Sequence, residues 1–259
     1  MTDEKSPDEE IEQAILKSVE KVERLALTIR DTSVDDEDIW YRNLLLGILN
    51  SALLDFRYLQ IGEKQHSPYL AAWSCRNLLE LKVIAIYVLA SADNAKTFKN
   101  DFVVDAKEFY EAISKRHKAT HPKLIAAWQA GMQEFEGDER RAMEAEQQRE
   151  VERGPQTQQT DEETETYRKL MAEFGINPKA KPLRSGEIAK LISQSEEFDA
   201  MFKVCSKIMH RTALSIAAST TKGALDEVIP LLASTGTVEF LAIYDLIDQH
   251  FRARGVQLP

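Results

Sequence analysis

The sequence predicts an all-α protein: a multi-helix bundle around one central apolar helix, with a charged helical extension. Three observations carry this. Apolar residues recur at three- and four-residue steps through most of the chain, the period of a buried helix face. Only ten Gly and eight Pro punctuate 259 residues, too few for the frequent turns of a β-sandwich or barrel. No pair of segments alternates apolar and polar residues as two half-buried strands would.

Ile11, Ile15, Val19, Val22, Ala26 and Ile29 mark the apolar stripe of a first helix. The acidic, cap-rich DTSVDDED precedes a second, IWYRNLLLGILNSALLDFRYLQ, which should stop near Gly62. Ser67-Pro68 supplies an N-cap and a first-turn proline for a third helix reaching about Ala92. Its sequence, YLAAWSCRNLLELKVIAIYVLA, is apolar on nearly every side, as befits the centre of a bundle. A fourth helix is expected from Lys96 to Lys118, and Pro122 should open a fifth.

The second half of that fifth helix, EFEGDERRAMEAEQQREVERG, mixes both charge signs with hardly a large apolar residue, so it should be an exposed arm. GPQTQQTDEETET, residues 154–166, reads as a linker or mobile loop. The expected organisation is a single helical domain over 1–259, with 134–166 as a charged arm and flexible linker within it. A short helix to Gly175, irregular chain through INPKAKPLRS, and a helix capped by Ser185 follow. EEFDAMFKVCSKIMHRTALSIAAS should form the next long helix. Two more complete the chain, with Pro230 kinking or splitting the first and VEFLAIYDLIDQHFRAR closing it.

The formal charge of −10 repels polyanions, so nucleic-acid binding would need a local basic patch. Cys75 and Cys205 form no C-x-x-C pair and read as buried free thiols in a reducing compartment. The acidic start lacks the charged-then-apolar pattern of a leader, and the longest apolar run, Val83 to Ala90, is too short to span a bilayer. A cytoplasmic location without membrane contact is the expectation.

In the third helix Arg76, Asn77 and Glu80 form one polar stripe in an apolar neighbourhood, while Lys82 falls on the opposite side, where its stem can reach water. Phe198, Phe202, Ser206 and His210 follow at four-residue steps on a later helix. Packing the two stripes together would enclose a cationic, hydrogen-bonding pocket walled by Trp73, Phe202 and Cys205. There His210 would act as general acid or base with its pKa set by Glu80, Arg76 would neutralise phosphate, and Ser206 and Asn77 would contact ligand. The alternative is a satisfied buried network that fixes helix register.

R-x-x-x-E over Arg76–Glu80, followed by F-x-x-x-F-x-x-x-S-x-x-x-H over Phe198–His210, resembles the motifs of a bacterial all-helical family of unknown function. That family usually has tyrosines where this chain has the two phenylalanines. Such families are considered similar to HEPN and AbiV-type proteins of prokaryotic conflict systems. The resemblance implies a metal-independent ribonuclease or phosphate-handling protein of a defence or toxin system, commonly dimeric. The HEPN hallmark, R-x(4–6)-H, has a literal match in Arg116 to His121, a spacing that chance supplies about once in a chain of this composition. The competing function is a non-catalytic module that binds a protein, through the charged helix, or a small ligand. No metal-ligand spacing and no Gly-rich phosphate loop is found, so no cofactor is expected.

Overall fold

The computed structural model describes residues 7–32, 39–131, 137–152, 155–210, 217, 221 and 223–256, with some side chains inside these helices excepted. Among them the chain is helical and contains no strand, as the periodicity predicts. The α-helices are α1 (Pro7–Asp31), α2 (Ile39–Lys64), α3 (Pro68–Ala90), α4 (Ala92–Gly131), α5 (Gly137–Glu152), α6 (Pro155–Glu173), α7 (Ser185–Leu191), α8 (Ser195–Met209) and α9 (Ile229–Ala253). A 3₁₀ turn over Asp226–Val228 leads into α9.

The chain divides into two compact units. The first comprises Met1–Ala95 with Arg184–Pro259, the second Lys96–Leu183.

In the first unit α3 is the hub: α2, α7, α8 and α9 all pack on it. Ala71, Ala72, Cys75, Leu78, Leu79 and Val83 are buried around its circumference, which is why its sequence is apolar on nearly every side. The Ser67 side chain caps it by accepting from the Leu70 N–H, with Pro68 in the first turn. α2 ends at Lys64, near Gly62 as expected, though Gly62 itself is still helical. A Cβ at Gly62 would lie 2.7 Å from the Ala71 backbone nitrogen, so this glycine lets α2 and α3 approach closely rather than ending a helix. The turn between them closes at His66, which takes φ 48°, with the Ser67 N–H reaching back to the Gly62 carbonyl.

α9 lies across α2 and α3. Its Phe240 stacks face to face on Phe56 of α2 at 4.1 Å, and Gly236 brings its backbone against Leu59 and Leu78. Pro230 neither kinks nor splits α9. It occupies the first turn, where its missing N–H costs nothing. α2 and the segment Asp226–Ala253 are each long and apolar enough to cross a membrane by length and composition. The core helices of a soluble bundle pass the same test, and here both bury apolar side chains against α3 and each other.

In the second unit, Val103 and Val104 of α4 pack against Met171 of α6, with Tyr167, Leu170, Ile176 and Ala180 around them. Two expectations change here. α4 continues through Pro122 as one helix to Gly131, so Lys118 is not its end and Pro122 opens nothing. Residues 155–166, read as a mobile loop, are the first turns of α6. Their Thr and Gln content suits a loop as well as a helix, but Pro155 starts the helix, and Asp161 and Thr164 face α4, where Asp161 finds partners in Ser114 and Lys118. α5, the expected charged arm, is helical and largely exposed.

Candidate functional site

α2 and α8 pack on different flanks of α3. Between them a strip of α3 carrying Trp73, Arg76, Asn77 and Glu80 remains half exposed. Glu80 lies one turn after Arg76, and the Arg76 Nε donates to its carboxylate at 3.0 Å. The Arg76 guanidinium also covers the Phe202 ring of α8, 4.2 Å from the centroid. Phe202 is itself braced by Phe198, their rings stacked at 5.1 Å. Thus the Arg76 and Phe202 faces do meet, and Arg76 is held on two sides by its own chain.

On the other flank the Asn77 side-chain amide donates to Asp55 of α2 at 2.9 Å. Burial pushes the Asp55 carboxyl above its ordinary range, partly offset by the Asn77 hydrogen bond, and the Glu80 charge adds to the rise. Trp73 packs edge-on against Tyr58 of α2 at 5.8 Å. It borders the strip on the α2 side, while Cys205, expected as a third wall, is fully buried.

His210 departs from expectation. α8 ends at Met209, and His210 is its C-cap residue in extended conformation, exposed, with its N–H on the Ser206 carbonyl. The apolar pattern runs on past His210, but such a pattern fixes only the face a helix would bury. No Gly or Pro marks where this helix stops. His210 therefore does not sit one helical turn above Ser206 on a shared buried face. Among the described residues the buried Ser206 Oγ has no hydrogen-bond partner.

Lys82 also departs from expectation. α9 covers that side of α3, and the Lys82 ammonium lies 2.8 Å from Glu239 of α9 and 3.9 Å from Glu197 of α8. Glu239 is buried, and burial raises its carboxyl above the ordinary range while Lys82 pulls it back. The contact to Oε2 is a close ion pair rather than an aligned hydrogen bond, since among the described residues that oxygen has no donor in good geometry.

Comparison with known proteins finds no matching family model, no matching curated protein and no matching solved structure. Function has to be read from geometry.

Cys75 of α3 and Cys205 of α8 are both fully buried and both free, on helices packed against each other. The neighbouring Cys205, with burial, pushes the Cys75 thiol up. Cys75, with Arg76 nearby, lowers Cys205 against the effect of burial.

The other predicted pair, Arg116 and His121, lies within continuous α4. Arg116 is exposed, and the His121 side chain falls outside the described residues. Nearby in the second unit, α4 and α6 enclose an open groove of about 540 Å³ lined by Glu111, Ser114, Lys118, Asp161, Glu165 and Arg168 among others. Lys118 pairs with Asp161 at 2.8 Å, and Arg168 with Glu111 at 2.6 Å and Glu165 at 3.4 Å. These charges join the two helices.

Sequence reasoning missed Asp55 and Glu239. Both signals were present: a lone acid at a position in register with apolar neighbours. Asp55 shares a face with Ile48, Ala52 and Leu59, and Glu239 with Leu232, Gly236 and Ile243. Among the described residues no group of three or more His, Cys, Asp or Glu could hold a metal ion.

Proposed function

We propose that this chain is a non-catalytic helical binding module. Its Asp55–Asn77 and Arg76–Glu80–Phe202 contacts fix the register of α2, α3 and α8, and the half-open strip of α3 is its binding face. The observation that carries this reading is the double commitment of Arg76, to Glu80 at 3.0 Å and to the Phe202 ring at 4.2 Å. Within this group two carboxylates, Asp55 and Glu80, outnumber one guanidinium, a balance that disfavours phosphate and favours a basic side chain of a polypeptide partner. The exposed Tyr58–Trp73 pair beside them supplies the aromatic surface on which such contacts concentrate. Two buried free thiols fit a cytoplasmic setting. The homodimer is carried by the resemblance alone.

The competing reading is a HEPN-like ribonuclease using His210 with Arg76 and Glu80, or Arg116 with His121. It requires an imidazole working beside a guanidinium free to meet phosphate. Incubating total RNA with the wild type, His210→Ala and His121→Ala in EDTA tests the choice. The binding module leaves RNA intact with all three proteins. Cleavage by the wild type that either variant abolishes would refute it.

A further inference from the structure

Cys75 and Cys205 are the only two cysteines of the chain. They stand on different helices far apart in sequence, and α8 packs on α3 with both thiols fully buried. A second contact fixes the same seam independently: Arg76, the neighbour of Cys75, lies over Phe202, one turn before Cys205. Both thiols are fully buried, so a second protein molecule cannot reach either without local opening.

We propose that this pair is a peroxide-operated lock, in which oxidation joins Cys75 to Cys205 and fixes α8 against α3 beneath the Arg76–Phe202 stack. The oxidant is a hydroperoxide, small enough to enter through local opening. Cys205 stands one turn from Met209, the last residue of α8, and helix ends open at the least cost. The Cys205 thiolate attacks the peroxide: an S–O bond forms, the O–O bond breaks, and hydroxide leaves to become water. Cys205 is then a sulfenic acid. Cys75 loses its proton and attacks that sulfur. The S–S bond forms, the S–O bond breaks, and a second hydroxide leaves as water. In sum two thiols lose two electrons and two protons, and one hydrogen peroxide becomes two waters.

The roles are unequal. Cys205 stands one turn after Phe202, whose ring carries the Arg76 cation, and that charge favours its thiolate, whereas Cys75 has the Glu239 charge nearby. Cys205 is therefore the attacking thiol and Cys75 the resolving one. Closing the contact to a bond of about 2.05 Å requires the sulfurs to approach, a movement that the short remainder of α8 can supply.

The test uses the full-length reduced protein. After hydrogen peroxide treatment, denaturation and alkylation, intact mass should show a monomer that has lost two hydrogens and takes up no alkylating reagent. Peptide mapping should link the Cys75 and Cys205 peptides, dithiothreitol should reverse the change, and urea unfolding of the oxidised form should shift to a higher midpoint. In Cys75→Ser, dimedone should trap a sulfenic acid on Cys205. In Cys205→Ser, labelling of Cys75 should be about tenfold lower. Wild-type protein that keeps two alkylatable thiols, accumulates sulfinic acid without a cross-link, or links only between molecules overturns the proposal. Equal labelling in the two variants overturns the assignment of roles. The wild-type mass decides the cross-link even if a variant fails to fold.

Discussion

Lys82→Met isolates the energetics of the buried ion pair. The Lys82 side chain is 14% exposed and that of Glu239 2%, with 2.8 Å between their charged atoms, whereas Glu197 is 65% exposed and 3.9 Å away. At an effective dielectric constant near 20, the attraction over the shorter distance is about 6 kcal/mol gross. Much of it offsets the cost of desolvating both ions. The Glu197 contact, on a screened side chain, contributes at most about 1 kcal/mol. Removing the ammonium leaves Glu239 buried against α3 without its counter-ion, and the expected loss is about 3–5 kcal/mol at pH 7. Lys82→Met combined with Glu239→Leu removes both charges and should recover most of that loss. Urea unfolding at pH 7, read from the midpoint and slope, measures both.

The pH dependence adds a second signature. The folded Glu239 carboxyl titrates above its ordinary value of 4.5, so the folded state holds a proton that the unfolded chain has released. The stability from this group is fully present below 4.5 and is lost as pH rises through the folded value. Without Lys82 the folded value rises further, so the variant should lose stability over a wider pH range, by up to about 1.4 kcal/mol per unit. A loss below about 1 kcal/mol in Lys82→Met, or a double variant no more stable than the single one, would refute this reasoning.

Other substitutions probe separate parts of the fold. Gly62→Ala drives a Cβ to 2.7 Å from the Ala71 backbone and should cost about 2 kcal/mol or more, while Gly47→Ala, with nothing within 4 Å, should stabilise by up to about 1 kcal/mol; thermal unfolding of both compares them directly. Asp55→Asn keeps an acceptor for Asn77 and removes a carboxyl whose folded pKa is raised. Wild-type stability from that group is lost as pH rises through its folded value, and the variant's urea midpoint should lack that component. His250 is lowered by burial and by Arg254, with its ring against Tyr41. Its stability contribution is present above the ordinary value of 6.5 and is lost as pH falls through the folded value, so His250→Gln should flatten the melting temperature over that range.

The helical architecture was legible because an amphipathic period of 3.6 residues declares itself locally. α3 declared its central place by being apolar all round, and Ser67-Pro68 declared where it begins. Helix ends without a breaker were not legible. Nothing in SKIMHRTA separates Met209 from His210, and a proline that ends one helix elsewhere is absorbed within α4 here. Glycine had two meanings that sequence could not tell apart: Gly62 reads as a stop and serves as a close contact. The polar strip of α3 was legible as a stripe, but its partner was not, since Asp55 reaches it from α2, a packing no single sequence states. Lys82 shows the same limit, because a long stem opposite the polar stripe looks solvent-bound until α9 is laid over it.

The most direct measurement is a titration of ¹⁵N-labelled protein, followed at the Trp73 indole and Asn77 amide resonances, with a lysine-rich peptide and separately with inorganic phosphate. The binding-module account predicts saturable shifts with the peptide and none with phosphate. Saturable shifts from phosphate, or none from the peptide, would contradict it.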